Sequence, residues 1–208
     1  MINPKKEIKN LRKVYDTIAD SWTNLRNKPE KEVVEFAENK KGLILDLGCG
    51  NCRQSIPFLE NNCRCVGVDF SSSMIKQAKK FLEKKKFKMD FVLANVYELP
   101  FKKNSFNYSI YIRTFSNLPT KEMRLKSLKE LKRICKKDIL FSVWKGDSED
   151  KYVNWNYYGK KLKRFYHLYT MEELKSDLKS AKIKPKKISY DSKRKNGTDK
   201  VGNIWCII

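Results

Sequence analysis

The chain has 208 residues, of which 40% are hydrophobic, and this length suits one well-buried domain better than two large ones. Its 46 Lys and Arg residues against 24 Asp and Glu give a formal net charge of +22, spread along the chain. Such a surface attracts polyanions. Alternatively, the charge reflects a generally lysine-rich composition and no specific partner. Because no segment resembles a secretory signal or a membrane span, we expect a cytoplasmic protein without membrane association.

The six cysteines raise the question of a metal site. Cys49 and Cys52 form a C-x-x-C pair, and with Cys63 and Cys65 they would give four thiolate ligands for zinc. However, the first pair lies in a glycine-rich stretch that needs small residues, and the second pair alternates into an apolar strand pattern. We therefore expect reduced, buried thiols and no bound metal.

The predicted elements begin with helices. Apolar residues at helical spacing predict one helix within residues 7–22 and a second after Pro29, which together form an N-terminal helical segment of residues 1–40. Five apolar strand patterns follow, at residues 42–48, 64–70, 90–95, 106–112 and 138–144. Apolar helical stripes separate most of these strands, so the order alternates between strand and helix.

The last third of the chain closes the predicted fold. Thr170 and Glu173 form a capping-box pattern at the start of a helix, and residues 186–190 and 203–208 predict a terminal pair of strands. Alternating strands and helices predict an α/β fold with a doubly wound, mostly parallel sheet, whose ligand binds at the carboxyl ends of the strands. We expect a single domain over residues 1–208.

A glycine-rich loop follows the first strand. A dinucleotide fingerprint starting at Gly48 requires glycine at position 53, but Arg53 stands there, which disfavours a nicotinamide dinucleotide. What remains is D-x-G-x-G, formed by Asp46, Gly48 and Gly50, with Asp69 at the end of the second strand. An acid at that position can accept both ribose hydroxyls of a nucleotide.

This combination resembles motifs I and II of the class I S-adenosylmethionine-dependent methyltransferases. The resemblance implies a Rossmann-like, seven-stranded sheet and S-adenosylmethionine as cofactor. Asn95 stands where these enzymes usually carry an aspartate facing the adenine amine, and its amide oxygen is an equivalent acceptor; the alternative is an ordinary turn residue. The implied cofactor-binding residues are Asp46, Gly48, Cys49, Gly50, Asp69, Phe70, Asn95 and Val96.

A closer resemblance runs along nearly the whole chain. The segments "VYDTIADSWTNLRNKPEKEVVEF", "LDLGCGN", "LPFKKNSFNYSI", "VNW" and "KRFYHLYTMEEL" are similar to the tRNA wobble-uridine methyltransferases that esterify a carboxymethyl group on the base. The resemblance implies tRNA as substrate and, for some members, a small zinc-binding activator subunit as partner. Two features depart from the family pattern: Cys52 replaces a frequent third glycine, and Ser116 and Asn117 replace a histidine pair.

Residues 145–170 form a candidate substrate-recognition insertion rich in basic and aromatic side chains. Basic groups can meet phosphates and aromatic rings can stack on bases, at about 1 to 3 kcal/mol per base, although aromatic residues more often belong to the core. The candidate substrate-binding or RNA-binding residues are Trp155, Lys160, Lys161, Lys163, Arg164, Tyr166 and His167.

The implied reaction needs little acid–base help. A carboxylate is already ionised near neutral pH, so the enzyme has to align it rather than deprotonate it. Arg26 and Arg113 are the candidates for holding the substrate acid, with surface solvation as the alternative. The lone histidine, His167, is a further catalytic candidate or a buried structural group. Two other functions stay open: methylation of a small metabolite, and RNA binding by a degenerate methyltransferase fold.

Overall fold

The computed structural model describes residues 3–191 and 202–208. Six α-helices and nine β-strands occur in these residues, with a short 3₁₀ turn at Phe115–Asn117. In chain order they are α1 (Pro4–Leu25), α2 (Lys31–Ala37), β1 (Leu43–Leu47), α3 (Ile56–Glu60), β2 (Arg64–Asp69), α4 (Ser72–Lys84), β3 (Asp90–Leu93), β4 (Tyr108–Ile112), α5 (Lys121–Ile134), β5 (Ile139–Trp144), β6 (Glu149–Tyr157), β7 (Lys160–Leu168), α6 (Met171–Ser180), β8 (Lys187–Tyr190) and β9 (Asn203–Ile207).

Seven strands form one sheet in the order β3-β2-β1-β4-β5-β9-β8. The first five are parallel to one another, whereas β9 runs antiparallel between β5 and β8. The predicted doubly wound, seven-stranded, mostly parallel sheet is thus confirmed. The order reverses at β1, which pairs with β2 on one side and β4 on the other, and such a switch point opens a crevice at the carboxyl ends of the strands.

The core lies on both faces of this sheet. In β1, Ile44 packs with residues of α2, α3 and α4, whereas Leu45 and Leu47 pack with residues of α5 and α6. A strand covered on both faces has no polar side, which is why the sequence of β1 is almost entirely apolar. Asp46 is the exception, and its burial marks the beginning of the ligand crevice.

Strands β6 and β7 form a separate antiparallel hairpin within the segment 145–170. Its two-residue turn consists of Tyr158 and Gly159. Both have positive φ, as a type I′ hairpin turn requires. The hairpin packs on α1, where Trp155 Nε1 donates to Ser21 Oγ at 3.0 Å and Tyr157 Oη donates to Asp20 Oδ2 at 3.4 Å. Helix α1 therefore connects the hairpin to the rest of the fold.

All six cysteines are buried free thiols. Burial raises the pKa of Cys135 to about 11 and that of Cys206 to about 12, so both stay protonated and unreactive near neutral pH. Within residues 3–191 and 202–208, no three His, Cys, Asp or Glu side chains are grouped to hold a metal ion. No helix in these ranges is long and apolar enough to cross a membrane.

Candidate active site

A cavity of about 490 Å³ opens at the switch point of the sheet. Its walls come from the glycine loop after β1, the end of β2, the segments after β3 and β4, helix α1 and strand β7. All eight residues that the sequence implicated in cofactor binding line this cavity: Asp46, Gly48, Cys49, Gly50, Asp69, Phe70, Asn95 and Val96. Their individual roles stay predictions, but the fold brings them to one place.

The glycine loop has a left-handed backbone. Gly48 has φ +70, and a Cβ on it would lie 2.2 Å from Thr114 Oγ1, so no side chain fits there. Gly50 has φ +54. Cys52, which replaces the usual third glycine, also has a positive φ of 63, so this position keeps the backbone conformation that favours glycine. The loop thus leaves its backbone open to a close-lying nucleotide.

Two buried carboxylates support this loop. Asp69 accepts hydrogen bonds from Gly50 N and Ser71 N, both at 2.9 Å, and burial raises its pKa to about 6. Asp46 accepts from Ser55 Oγ at 2.6 Å, and burial raises its pKa to about 7. Asp69 stands at the carboxyl end of β2, where the ribose hydroxyls of a nucleotide meet an acid, whereas Asp46 holds the loop from beneath.

Asn95 and Phe70 form the adjoining wall. Asn95 Oδ1 accepts from Arg12 Nη2 at 3.3 Å, so its oxygen already acts as an acceptor. Phe70 packs edge-to-face on Tyr15, with ring centroids 5.9 Å apart. Together with buried Val96, these residues offer the flat apolar surface and the polar edge that a purine needs.

Helix α1 contributes wall residues that the sequence showed only as helix core. Tyr15 Oη lies 3.3 Å from Tyr166 Oη and donates to Asn117 Oδ1 at 3.4 Å. Asp16 accepts from Ser71 Oγ at 2.6 Å and from Ser73 N at 3.1 Å, which ties α1 to the start of α4. Helical spacing indicates which side of α1 is buried, but it does not show that this side faces a cavity.

The two predicted arginines differ in their partners. Arg113 pairs with Glu30 at 2.9 Å and donates through Nε to Asn203 Oδ1 at 3.0 Å. Arg26 also lines the cavity, with its guanidinium 4.8 Å from the ring centroid of Trp22, but its buried Nε has no hydrogen-bond partner in the described chain. Burial and the charge of Arg113 lower the pKa of Arg26. Arg26 is therefore the predicted arginine that has room for an incoming anion.

The predicted substrate residues of the hairpin separate into two groups. Lys160, Lys161 and Lys163 are exposed next to the turn. Arg164 and Tyr166 are each only 5% exposed, and both line the cavity. The interpretation of Arg164 as part of a surface that meets phosphates is therefore wrong, because its side chain is buried.

Trp155 and His167 do not line the cavity. Trp155 packs against Trp22 at a centroid distance of 5.2 Å, so its ring belongs to the hairpin–helix contact. His167 lies between two acids, with Nδ1 2.7 Å from Asp150 and Nε2 2.7 Å from Glu173. Thr170 caps α6 as its sequence pattern predicts, but the Glu173 side chain binds His167 instead of closing the capping box. A role for His167 in the chemistry has no support in this geometry.

Comparison with known proteins agrees with this arrangement. Residues 44–138, which run from β1 to the start of β5, match the family model described as a methyltransferase domain. The chain has the Rossmann-like fold of the class I methyltransferases. A methyltransferase structure from Burkholderia thailandensis with bound S-adenosylhomocysteine matches with a TM-score of 0.74 and 18% identity, over 100% of this chain and 90% of that one. The predicted fold and S-adenosylmethionine as the cofactor are confirmed.

Two further similarities are to a tRNA methyltransferase and to a methyltransferase solved with an activator. The tRNA (carboxymethyluridine(34)-5-O)-methyltransferase of Arabidopsis thaliana is 30% identical over 151 residues, which are 71% of this chain and 35% of the relative. The chain thus spans about a third of that relative's length. A complex of the Haloferax volcanii Trm112 methyltransferase activator with a methyltransferase matches with a TM-score of 0.67 and 16% identity, over 95% of this chain and 96% of that one.

Proposed function

We propose that this chain transfers the methyl group of S-adenosylmethionine to the carboxylate of a carboxymethyl-modified wobble uridine in tRNA, in the cytoplasm. The observation that carries the proposal is the composition of the cavity. One space joins the glycine loop and Asp69 to Arg26, a half-buried cation whose buried Nε has no hydrogen-bond partner in the described residues. The similarity to the Arabidopsis enzyme, which is named for this substrate, supports the same assignment.

The residues of the cavity suit this reaction. When bound, S-adenosylmethionine supplies an electrophilic methyl group. The glycine loop and Asp69 would hold its nucleoside part, and Asn95 would accept from the adenine amine. Because the substrate acid is ionised near neutral pH, its oxygen would form the new C–O bond without prior proton removal, while the S–CH3 bond breaks and S-adenosylhomocysteine leaves. Aligning the two reactants accounts for roughly 7 to 11 kcal/mol in well-oriented reactions.

The proposed reaction needs no catalytic base, and His167 is not placed to act as one. Both of its ring nitrogens are engaged by Asp150 and Glu173, outside the cavity lining. The protein's task is to hold the acid and to exclude water, and Arg26 and the hydroxyls of Tyr15 and Tyr166 are among the polar groups of the cavity wall. The degenerate-fold alternative is disfavoured, because the glycine loop keeps the backbone that a nucleotide requires.

Two surfaces support the partners of this function. The exposed Lys160, Lys161 and Lys163 at the hairpin tip add to the net charge of +22, which suits tRNA. Strand β3 is an edge of the sheet, and its Leu93 is 59% exposed. An open edge strand with an exposed leucine suits the addition of another chain. The likeness to the activator complex supports a small activator subunit as a partner.

Labelled methyl transfer tests the reaction. Purified protein, with and without an activator subunit, is incubated with methyl-labelled S-adenosylmethionine and tRNA that carries the free acid on its wobble uridine. We expect a methyl ester that mild alkali cleaves, so that the label leaves as methanol. The Asp69→Ala variant should lose this transfer through weaker cofactor binding, and tRNA with an unmodified wobble uridine should accept no label.

Two results would contradict the assignment. An alkali-stable label on the nucleoside indicates N-, C- or ribose methylation. Labelling of a small metabolite with no transfer to tRNA favours the alternative of a metabolite methyltransferase. In both cases the cofactor assignment survives and the wobble-uridine assignment does not.

A further inference from the structure

Arg164 is a buried cation without an acidic partner. Its side chain is in the middle of the hairpin strand β7 and is 5% exposed. Nη1 donates to Tyr166 Oη at 2.7 Å, whereas the buried Nε has no partner in the described chain. The guanidinium lies 4.9 Å from the Trp155 ring centroid and 5.5 Å from that of Trp22. No carboxylate of residues 3–191 or 202–208 forms an ion pair with Arg164.

Three other arginines, two of them half-buried and one buried, have acids nearby. Arg53 and Arg113 share Glu30, at 3.0 and 2.9 Å. Arg124, which is also 5% exposed, lies 4.0 Å from Glu173 and donates to Leu118 O at 3.2 Å. Burying a charge is costly unless a counter-charge or hydrogen bonds replace the lost water. Arg164 has only one such bond, so its environment favours an anion in the cavity beside it.

The contacts of Arg164 show which wall of the cavity this anion would face. Asn117 Nδ2 donates to Phe165 O at 2.8 Å, which anchors the 3₁₀ turn to β7. Tyr166 Oη, the acceptor of Arg164, also lies 3.3 Å from Tyr15 Oη. The guanidinium is therefore held on the wall made by the hairpin, α1 and this turn. The residues that suit the cofactor nucleoside, Asp69 and Gly50, belong to the loop wall instead.

We infer that Arg164 binds the carboxylate of the substrate base, with Arg26 as the second cation of the same cavity. This inference rests on the proposed function and names the residue that distinguishes an acid from a neutral group. A planar guanidinium presents two parallel N–H donors that match the two oxygens of a carboxylate. A carbamoylmethyl group has the same shape, but it has no charge and only one oxygen acceptor. Arg164 therefore gives the site its preference for the acid.

Binding assays with two anticodon stem-loops test the inference. One carries 5-carboxymethyluridine at the wobble position and the other carries the corresponding amide. The wild-type protein should bind the acid more tightly, and R164Q should lower this preference about tenfold, which corresponds to about 1.4 kcal/mol for a charge-assisted bond. R124Q is the matched control, because Arg124 is equally buried but does not line the cavity; it should keep the preference.

Two further measurements separate other roles of Arg164. Affinity for S-adenosylhomocysteine should be unchanged in R164Q, and a loss as large as the loss of acid preference would assign Arg164 to the cofactor's carboxylate and overturn the inference. The salt dependence of stem-loop binding should also be unchanged, because a buried residue neutralises no backbone phosphate; a flatter dependence would overturn it as well.

The remaining outcomes are also decisive. If R164Q keeps the full preference for the acid, the inference is wrong while the proposed function stands. If R164Q does not fold, R164K decides: it keeps the charge but loses the two parallel donors, so the KM for acid-bearing tRNA should rise with little change in kcat. An unchanged KM contradicts the inference. A wild-type protein that methylates no acid-bearing tRNA contradicts the proposed function itself.

Discussion

Two carboxylates, Asp46 and Asp69, lie buried beside the glycine loop, and both have raised pKa values, about 7 and about 6, because burial disfavours their charged forms. Their usual value is 3.8. The unfolded chain therefore releases these protons at lower pH than the folded chain does. The stability that the neutral acids contribute is complete below about pH 4 and is lost as the pH rises towards 7.

The variant D46N isolates this effect. Asparagine does not titrate, so the free energy of unfolding of D46N, relative to the wild type, should rise between pH 5 and pH 8. The expected change is on the order of 2 to 3 kcal/mol. Urea denaturation of both proteins without cofactor, at four pH values across this range, measures it. A difference that stays constant with pH means that Asp46 is already ionised in the folded protein.

The sequence revealed some residues of the cavity more readily than others. Gly48 and Gly50 are recognisable because their positive φ favours glycine, and Asp46 and Asp69 are recognisable because each is an acid near the end of an apolar strand pattern. The sequence around Arg164 contains no comparable motif. It follows exposed lysines in the sequence, and only the docking of β7 on α1 distinguishes a buried guanidinium from an exposed one. Asn117 was visible only as a departure from the family pattern.

At the level of elements, strand β7 of the hairpin changes from exposed to buried along its length. Lys160, Lys161 and Lys163 are exposed near the turn, whereas residues 164–168 are all buried where the hairpin meets α1 and the main sheet. A strand with a polar end and a fully buried end shows no regular alternation, so the sequence predicted the composition of this segment but not its hairpin. The strands of the main sheet were predictable because their apolar runs are buried on both faces.

The exposed tip gives a prediction about tRNA binding. If the three lysines neutralise phosphates, the triple change K160Q/K161Q/K163Q should weaken tRNA binding and flatten its dependence on salt concentration, by about 0.7 to 0.9 in the log–log slope per lost contact. Equilibrium binding at several salt concentrations measures this slope. The change K76Q/K80Q/K84Q on exposed positions of α4 removes the same charge elsewhere and serves as the control. Equal slopes in both variants would locate the tRNA surface away from the hairpin.

At the level of the whole molecule, helix α1 connects the start of α4 to the hairpin β6–β7. Asp16 bonds to Ser71 and Ser73 at the start of α4, directly after the acid Asp69. One turn further on, Asp20 and Ser21 bond to Tyr157 and Trp155 of the hairpin. A rigid helix that contacts both regions provides a physical route by which cofactor binding affects the hairpin.

This connection predicts that the two ligands bind cooperatively. S-adenosylhomocysteine should raise the affinity of the wild-type protein for tRNA several-fold, and tRNA should raise the affinity for S-adenosylhomocysteine by the same factor. D16A removes the bonds to α4 and should reduce this factor towards one. Calorimetric titrations of each ligand, with and without the other, provide the test. If each ligand binds the wild-type protein with the same affinity whether or not the other is present, α1 does not couple the two binding events.

The buried charge of Arg164 also has a consequence for release of the proposed product. If the protein esterifies the substrate acid, the reaction removes the negative charge from the bound group, so the product would no longer satisfy this guanidinium. The methylated tRNA would then compete poorly with the next acid-bearing tRNA, although the two differ by a single methyl group. Methylation would proceed nearly to completion while modified tRNA accumulates around the enzyme, without any separate device that expels it.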